Sequence, residues 1–218
     1  MCGRYTLTYQ DLGEVVEQLG AVLDPAAAEL HHPRYNVAPT NAAIIACPRG
    51  DRPALIPGTW GLRLGGRLII NLRAETAPAR LAAAWARGRC VVPADGFYEW
   101  TGARNERRPV RFHAPDGQPL LMAGLFQEQA VAGEAPPLFA VLTTAARPPV
   151  AAIHDRMPLL LSPASAREWL ARPPRALWPD DVALVGTDAS SRVNAVGNDD
   201  PGCLEAGPTE RRGQLPLF

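Results

Sequence analysis

Cys90-Val91-Val92-Pro93-Ala94-Asp95-Gly96-Phe97-Tyr98-Glu99-Trp100 is two short apolar runs hinged at Asp95-Gly96. Each run has the length and composition of a strand, and Asp-Gly is a turn signal. Similar runs follow at 109–112, 120–126 and 138–144, set apart by Asp116-Gly117 and Pro136-Pro137, and shorter ones lie at 43–47, 68–72 and 159–161. Helical spacing is rarer. Asp11 to Leu23 reads as a helix through Leu12, Val15, Val16, Leu19 and Val22, stopped by Asp24-Pro25. A short helix is expected over 79–87, with Thr76 as its cap and Pro78 in its first turn. Another runs from Ser162-Pro163 to about Ala171, and Ser190 to Val196 reads as a last strand. Many short strands with few helices, in mixed order, predict an α+β fold built on a curved mixed or antiparallel sheet. We expect a single domain over 1–207 and an unstructured tail over 208–218. The missing βαβ alternation argues against a dinucleotide-binding doubly wound sheet or an α/β barrel.

Composition narrows the chemistry. Of 218 residues 47 % are hydrophobic, enough for a packed core, and 42 are Gly or Pro, which fits short elements and many turns. Acidic and basic residues balance at 22 each, and every basic residue is Arg. The absence of Lys excludes a pyridoxal phosphate Schiff base, a Walker-type phosphate loop and a Lys general base. Residues 63–111 nevertheless carry ten Arg against four acids, net +6, a segment suited to phosphates or to a solvated surface. Cys2, Cys47, Cys90 and Cys203 are widely spaced, with no C-x-x-C pair, so we expect free thiols, no metal and a cytoplasmic setting. No stretch approaches the ~20 apolar residues of a membrane helix, and the first residues lack the pattern of a signal peptide.

Cys2 is the most informative position. Removal of Met1 leaves an α-amine and a thiol two carbons apart. The amine titrates near ~7.7–8.0, so part of it is neutral at pH 7. An aldehyde meeting this pair forms an imine, which the thiolate closes to a five-membered thiazolidine. A plain buried thiol near the terminus is the alternative. Asn71 ends the run Ile69-Ile70-Asn71. Glu99 lies among aromatics, where burial raises a carboxyl toward neutrality and suits it to proton transfer. His154 stands beside Asp155, as an acid–base pair or a loop histidine bonded to backbone.

Eight segments in order resemble the signature blocks of the SOS-response-associated peptidase (SRAP) family, the abasic-site-processing proteins. They are Met1–Tyr5, Arg34–Thr40, Trp60–Leu62, Asn71–Thr76, Cys90–Trp100, Ala123–Leu125, Thr143–Ala145 and Ile153–Pro158. The resemblance implies a barrel-like core and a monomer without cofactor. It implies binding of single-stranded DNA and capture of its abasic sites through Cys2, in the cytoplasm and at the nucleoid when DNA is damaged. Glu99 matches the family's acid–base residue, His154 the histidine that assists proton transfer, and Asn71 the asparagine that positions the amine. Arg4, Arg73 and Arg156 match DNA-backbone arginines, and Arg80 does so more loosely. Trp60 and Trp100 are candidates for stacking on bases beside the lesion, or for ordinary core packing. The aminothiol is expected to lie exposed at the mouth of an arginine-lined groove. Two other readings stand: a cysteine peptidase of Cys2 and His154 that releases Met1, giving hydrolase rather than lyase-type imine chemistry, and a non-covalent single-stranded DNA-binding module. The chain departs from the family's pattern in the short segment Arg63–Ile70, where a longer loop is usual, and at Leu72, where Ala is common.

Overall fold

A computed structural model of the protein describes residues 2–103, 106–129, 135–172 and 179–206. Its strands are, first, β1 (Tyr5–Leu7), β2 (Val22–Leu23), β3 (Arg34–Val37), β4 (Ala42–Arg49), β5 (Arg52–Trp60), β6 (Leu62–Leu64), β7 (Arg67–Ile69) and β8 (Asn71–Arg73). Then follow β9 (Arg89–Ala94), β10 (Gly96–Thr101), β11 (Arg108–His113), β12 (Leu120–Gln127), β13 (Leu138–Ala145), β14 (Arg156–Pro158), β15 (Leu160–Leu161) and β16 (Val185–Asp188). The helices are α1 (Gly13–Leu19), α2 (Pro25–Leu30), α3 (Ala77–Arg80), α4 (Ala82–Arg87) and α5 (Pro163–Ala171). The fold is α+β and dominated by strands.

The larger sheet closes on itself. β13 pairs with β12, β12 with β9, β9 with β4 and β4 with β5, all antiparallel, and β5 returns to β13 in parallel. Its strands are apolar on both faces. Along β12, Leu120, Met122 and Phe126 join one core while Leu121, Ala123 and Leu125 join another. That is why these segments read as unbroken apolar runs instead of alternating ones. The first core also takes Tyr5, Phe97, Val110 and Phe112 from the smaller sheet, whose order is β16-β11-β10-β1-β3. The second is covered by Val15 and Leu19 of α1, Trp85 of α4, and Ala166, Trp169 and Leu170 of α5.

Asp95-Gly96 is the corner between the two sheets. β9 lies in the closed sheet and β10 in the smaller one, and the two do not pair. Gly96 leaves room there for Arg111: a Cβ would sit 2.5 Å from Nε of Arg111, whose guanidinium donates to the Asp95 carbonyl at 2.8 Å.

Several expectations are corrected. The helix expected over 11–23 is only α1, because Gly20 takes a left-handed conformation (φ 59°) and ends it. Val22–Leu23 pairs with β5, and Asp24 caps α2, accepting from Ala26 N at 2.9 Å, with Pro25 at the first helical position. The helix expected over 79–87 is two, broken at Leu81, and the Thr76 side chain caps neither. The strand expected over 68–72 is interrupted at Ile70, whose carbonyl instead accepts from Trp60 Nε1 (2.9 Å) and Val141 N (3.0 Å). Ser190–Val196 is no strand: Ser190 caps a 3₁₀ turn, Ser191–Asn194. The expected tail lies outside the described residues.

Candidate functional site

Strand register assembles the site. β1 runs antiparallel to β10 with Tyr5 opposite Phe97, and Tyr98 N donates to the Arg4 carbonyl at 3.0 Å. Continued two residues, this register sets Gly3 opposite Glu99, so the chain's beginning arrives beside that carboxyl. β8 arrives from the other sheet, held parallel to β13 with Asn71 opposite Val141. Asn71 Nδ2 donates to the Cys2 carbonyl at 2.7 Å, and its Oδ1 is buried without a partner among the described residues. β14 pairs with β13 from its opposite edge and carries His154 and Asp155 just ahead of it. Cys2, Asn71, Glu99 and His154 thus come from four separate parts of the chain to one place.

The electrostatics agree. Glu99 is 2 % exposed, and burial pushes its carboxyl up to about 7, against the pull of the positive charge at the chain's N-terminus. Burial also raises the Cys2 thiol well above its ordinary range, with the negative charge of Glu99 adding to the effect. Burial lowers His154, as does the N-terminal charge, while Asp155 opposes both. One N-terminal charge is therefore felt by all three groups.

His154 Nδ1 has two neighbours, the N–H of Arg156 at 2.9 Å and Oδ1 of Asp155 at 3.0 Å. A single ring nitrogen serves one of them at a time. The neutral imidazole accepts from Arg156 N–H, which leaves its proton on Nε2; the imidazolium donates to Asp155 instead.

The expectation of an exposed aminothiol is corrected for the thiol. Cys2 is completely buried, packed into the core with Tyr5 and Trp60, and its Sγ faces the Arg4 carbonyl at 3.5 Å. Met1 lies outside the described residues. The remaining expected residues divide by role. Arg73 and Arg80 are exposed, and the Arg73 charge acts on the Glu75 carboxyl. Arg4 is half-buried and tied by Nη1 to Asn36 Oδ1 (3.0 Å) and the Val193 carbonyl (2.6 Å). Arg156 is buried and paired with Glu75. Trp60 is wholly buried between Tyr5 and Phe139, ring centroids 5.3 and 6.4 Å away, and in this packing offers no face to a base. Trp100 is half-buried beside Tyr98 and donates from Nε1 to Asn194 at 2.7 Å.

Sequence reasoning missed Glu75 as the counter-charge of Arg156, and Asn36 as the anchor of Arg4. Both lie inside the quoted blocks, but nothing in their spacing pairs residues 81 and 32 positions apart. Among the described residues no group of His, Cys, Asp and Glu side chains is placed to hold a metal ion, and no helix is long and apolar enough to cross a membrane.

The sequence model of one family, SOS response associated peptidase (SRAP), matches residues 1–196. The chain belongs to the SRAP family. Among SRAP relatives it is 32 % identical over 215 residues to the abasic site processing protein YedK of Escherichia coli (strain K12), covering 91 % of this chain and 95 % of that one. It is 30 % identical over 230 residues to the abasic site processing protein YoqW of Bacillus subtilis (strain 168), covering 94 % and 100 %. A crystal structure of a phage-related protein from Bordetella bronchiseptica superposes with a TM-score of 0.68 at 28 % identity, over 86 % of this chain and 93 % of that one. A protein from Bacteroides thetaiotaomicron shares the fold, with a TM-score of 0.77 at 18 % identity over 94 % and 100 % of the two chains.

Proposed function

We propose that this protein, once Met1 is removed, captures abasic sites in single-stranded DNA as a covalent thiazolidine on Cys2. The observation that carries the reading is the bond from Asn71 to the Cys2 carbonyl, made where the buried carboxyl of Glu99 faces the chain's beginning. Relatives of matching length are abasic site processing proteins, which supports the substrate class.

The chemistry follows from the groups present. An abasic site is a 2-deoxyribose in equilibrium with its open-chain aldehyde. Ring opening moves a proton from the anomeric hydroxyl and delivers one to the ring oxygen. Glu99, poised near 7, both takes and gives a proton at working pH. The freed Cys2 amine adds to the aldehyde carbon, and the carbinolamine loses one water to give the imine. Asn71 fixes this amine from two sides, holding the Cys2 carbonyl by Nδ2 and leaving Oδ1 to accept an amine hydrogen. The Cys2 S–H then adds across C=N, sulfur to carbon and hydrogen to nitrogen, closing the ring. Aldehyde plus aminothiol gives thiazolidine plus one water, with no oxidant or cofactor.

Burial gives this sequence its order. A thiol held protonated is a weak nucleophile, so the amine reacts first and the sulfur closes intramolecularly. His154, neutral near pH 7 with Nδ1 occupied by Arg156 N–H, presents an Nε2 proton suited to stabilising sugar oxygen. Arg73 and Arg80 supply guanidinium groups for backbone phosphates, which carry little sequence information and suit a lesion found anywhere. The scheme needs one chain only, since every assigned group comes from it.

The test incubates protein of confirmed Cys2 terminus with a single-stranded oligonucleotide carrying one abasic site, followed by a denaturing gel. A heat-stable adduct that Cys2→Ala abolishes is expected. No adduct from the wild type overturns the reading.

A further inference from the structure

Arg156 is only 8 % exposed, yet its guanidinium faces a carboxylate that is half exposed, Glu75. The pair is a fork on a fork: Nη1 to Oε1 at 2.7 Å and Nη2 to Oε2 at 2.9 Å. Nη2 also donates to the Thr143 carbonyl at 2.5 Å. Thr143 sits on β13 where β8 lies along one edge, opposite Arg73, and β14 along the other, opposite Pro158. The ion pair therefore ties the two arms of the site together across β13. Glu75 is four residues beyond Asn71, and Arg156 two residues beyond His154, whose Nδ1 accepts the backbone N–H of Arg156.

We propose that Glu75 is a positioning residue that sets the Asn71 arm against the His154 arm through Arg156 and, by occupying the guanidinium fork, withholds it from DNA phosphate. The inference rests on the reading of the site as a DNA aldehyde trap. It gives Glu75 two effects of opposite sign. The carboxylate speeds capture by holding two assisting groups in register, and it weakens DNA binding by neutralising a cation at the site. A residue of purely structural importance moves both in the same direction when replaced.

The experiment separates affinity from reaction. Binding is measured by fluorescence anisotropy across a salt series, on a single-stranded oligonucleotide whose abasic position is a tetrahydrofuran ring, which has no aldehyde. Adduct formation is measured in single turnover on the true abasic oligonucleotide at saturating protein. Glu75→Gln keeps the shape and removes the charge. It should bind tighter by roughly threefold, with log affinity against log salt steeper by about 0.7, the value of one extra phosphate contact on a single strand. Its saturated adduct rate should fall at least about tenfold through misalignment, and Glu75→Asp should recover part of it. Arg156→Gln provides the second arm: the same loss of rate, with no gain in affinity. Weaker or unchanged binding by a folded Glu75→Gln overturns the proposal, as does an unchanged saturated rate. If Glu75→Gln does not fold, Arg156→Gln decides: an unaltered adduct rate there overturns it. If wild type forms no adduct, the functional reading fails instead, whatever the affinities show.

Discussion

Replacing Glu99 by Gln removes a titratable group from a site that is 2 % exposed while keeping its shape. Burial pushes the carboxyl from 4.5 up to about 7. Across that interval the folded protein keeps a proton that the unfolded chain has released. The stabilisation is complete below the unfolded value and is lost as pH rises through the folded one. Spanning 4.5 to about 7 at about 1.4 kcal/mol per pH unit, the loss is roughly 3 kcal/mol. Gln has no such dependence, so its advantage over wild type should grow by that amount between pH 4.5 and pH 8. Urea denaturation of both proteins at several pH values reads it directly. The same substitution should slow adduct formation by about 10²–10⁴-fold, the usual worth of one general acid–base group. A stability difference that stays constant with pH refutes the buried titration. A Gln variant that forms adduct at the wild-type rate refutes the assignment of proton transfer to Glu99.

Other substitutions address the neighbours. Asn71→Ala strips the Cys2 carbonyl of its donor and should slow single-turnover adduct formation by roughly 5- to 150-fold, the effect of about 1–3 kcal/mol, with little change in affinity for the tetrahydrofuran oligonucleotide. Arg73→Gln, at an exposed position, should leave the denaturation midpoint unchanged and make the salt dependence of single-strand binding shallower by about 0.7 in log–log slope. Gly96→Ala drives a methyl into Arg111 Nε, 2.5 Å away, and should cost about 1–3 kcal/mol in urea denaturation by dislodging that guanidinium from Asp95 and Thr6. Asp155→Asn removes the charge that supports protonation of His154 and should lower its titration midpoint further, as followed by NMR of the imidazole.

The strands were legible wherever an apolar run is buried on both faces, as at Leu120–Gln127 and Leu138–Ala145. The closure of the sheet was not, because it depends on a two-residue parallel contact, Leu138 with Thr59 and Phe139 with Trp60. β5 itself escaped notice: Pro53, Pro57 and Gly58 mask a strand of nine residues. Among site residues, Asn71 and Glu99 could be singled out by what surrounds them in sequence. Arg156 could not be told from an arginine facing DNA, because its partner Glu75 and the depth of its burial are both set by β13. Trp60 could be read as a stacking surface or as core, and it is core: its indole N–H joins Val141 N on the Ile70 carbonyl. Burial of the Cys2 thiol follows from β1 inserting between β10 and β3, a pairing that three residues of sequence do not announce.

Condensation of the Cys2 aminothiol with the sugar aldehyde is read by intact-mass spectrometry with N-terminal peptide mapping. After reaction with an abasic oligonucleotide and nuclease trimming, the mass should rise by the remaining sugar phosphate less one water, with the gain confined to the peptide beginning at Cys2. An adduct on another residue, or none on a chain whose terminus is confirmed as Cys2, contradicts it.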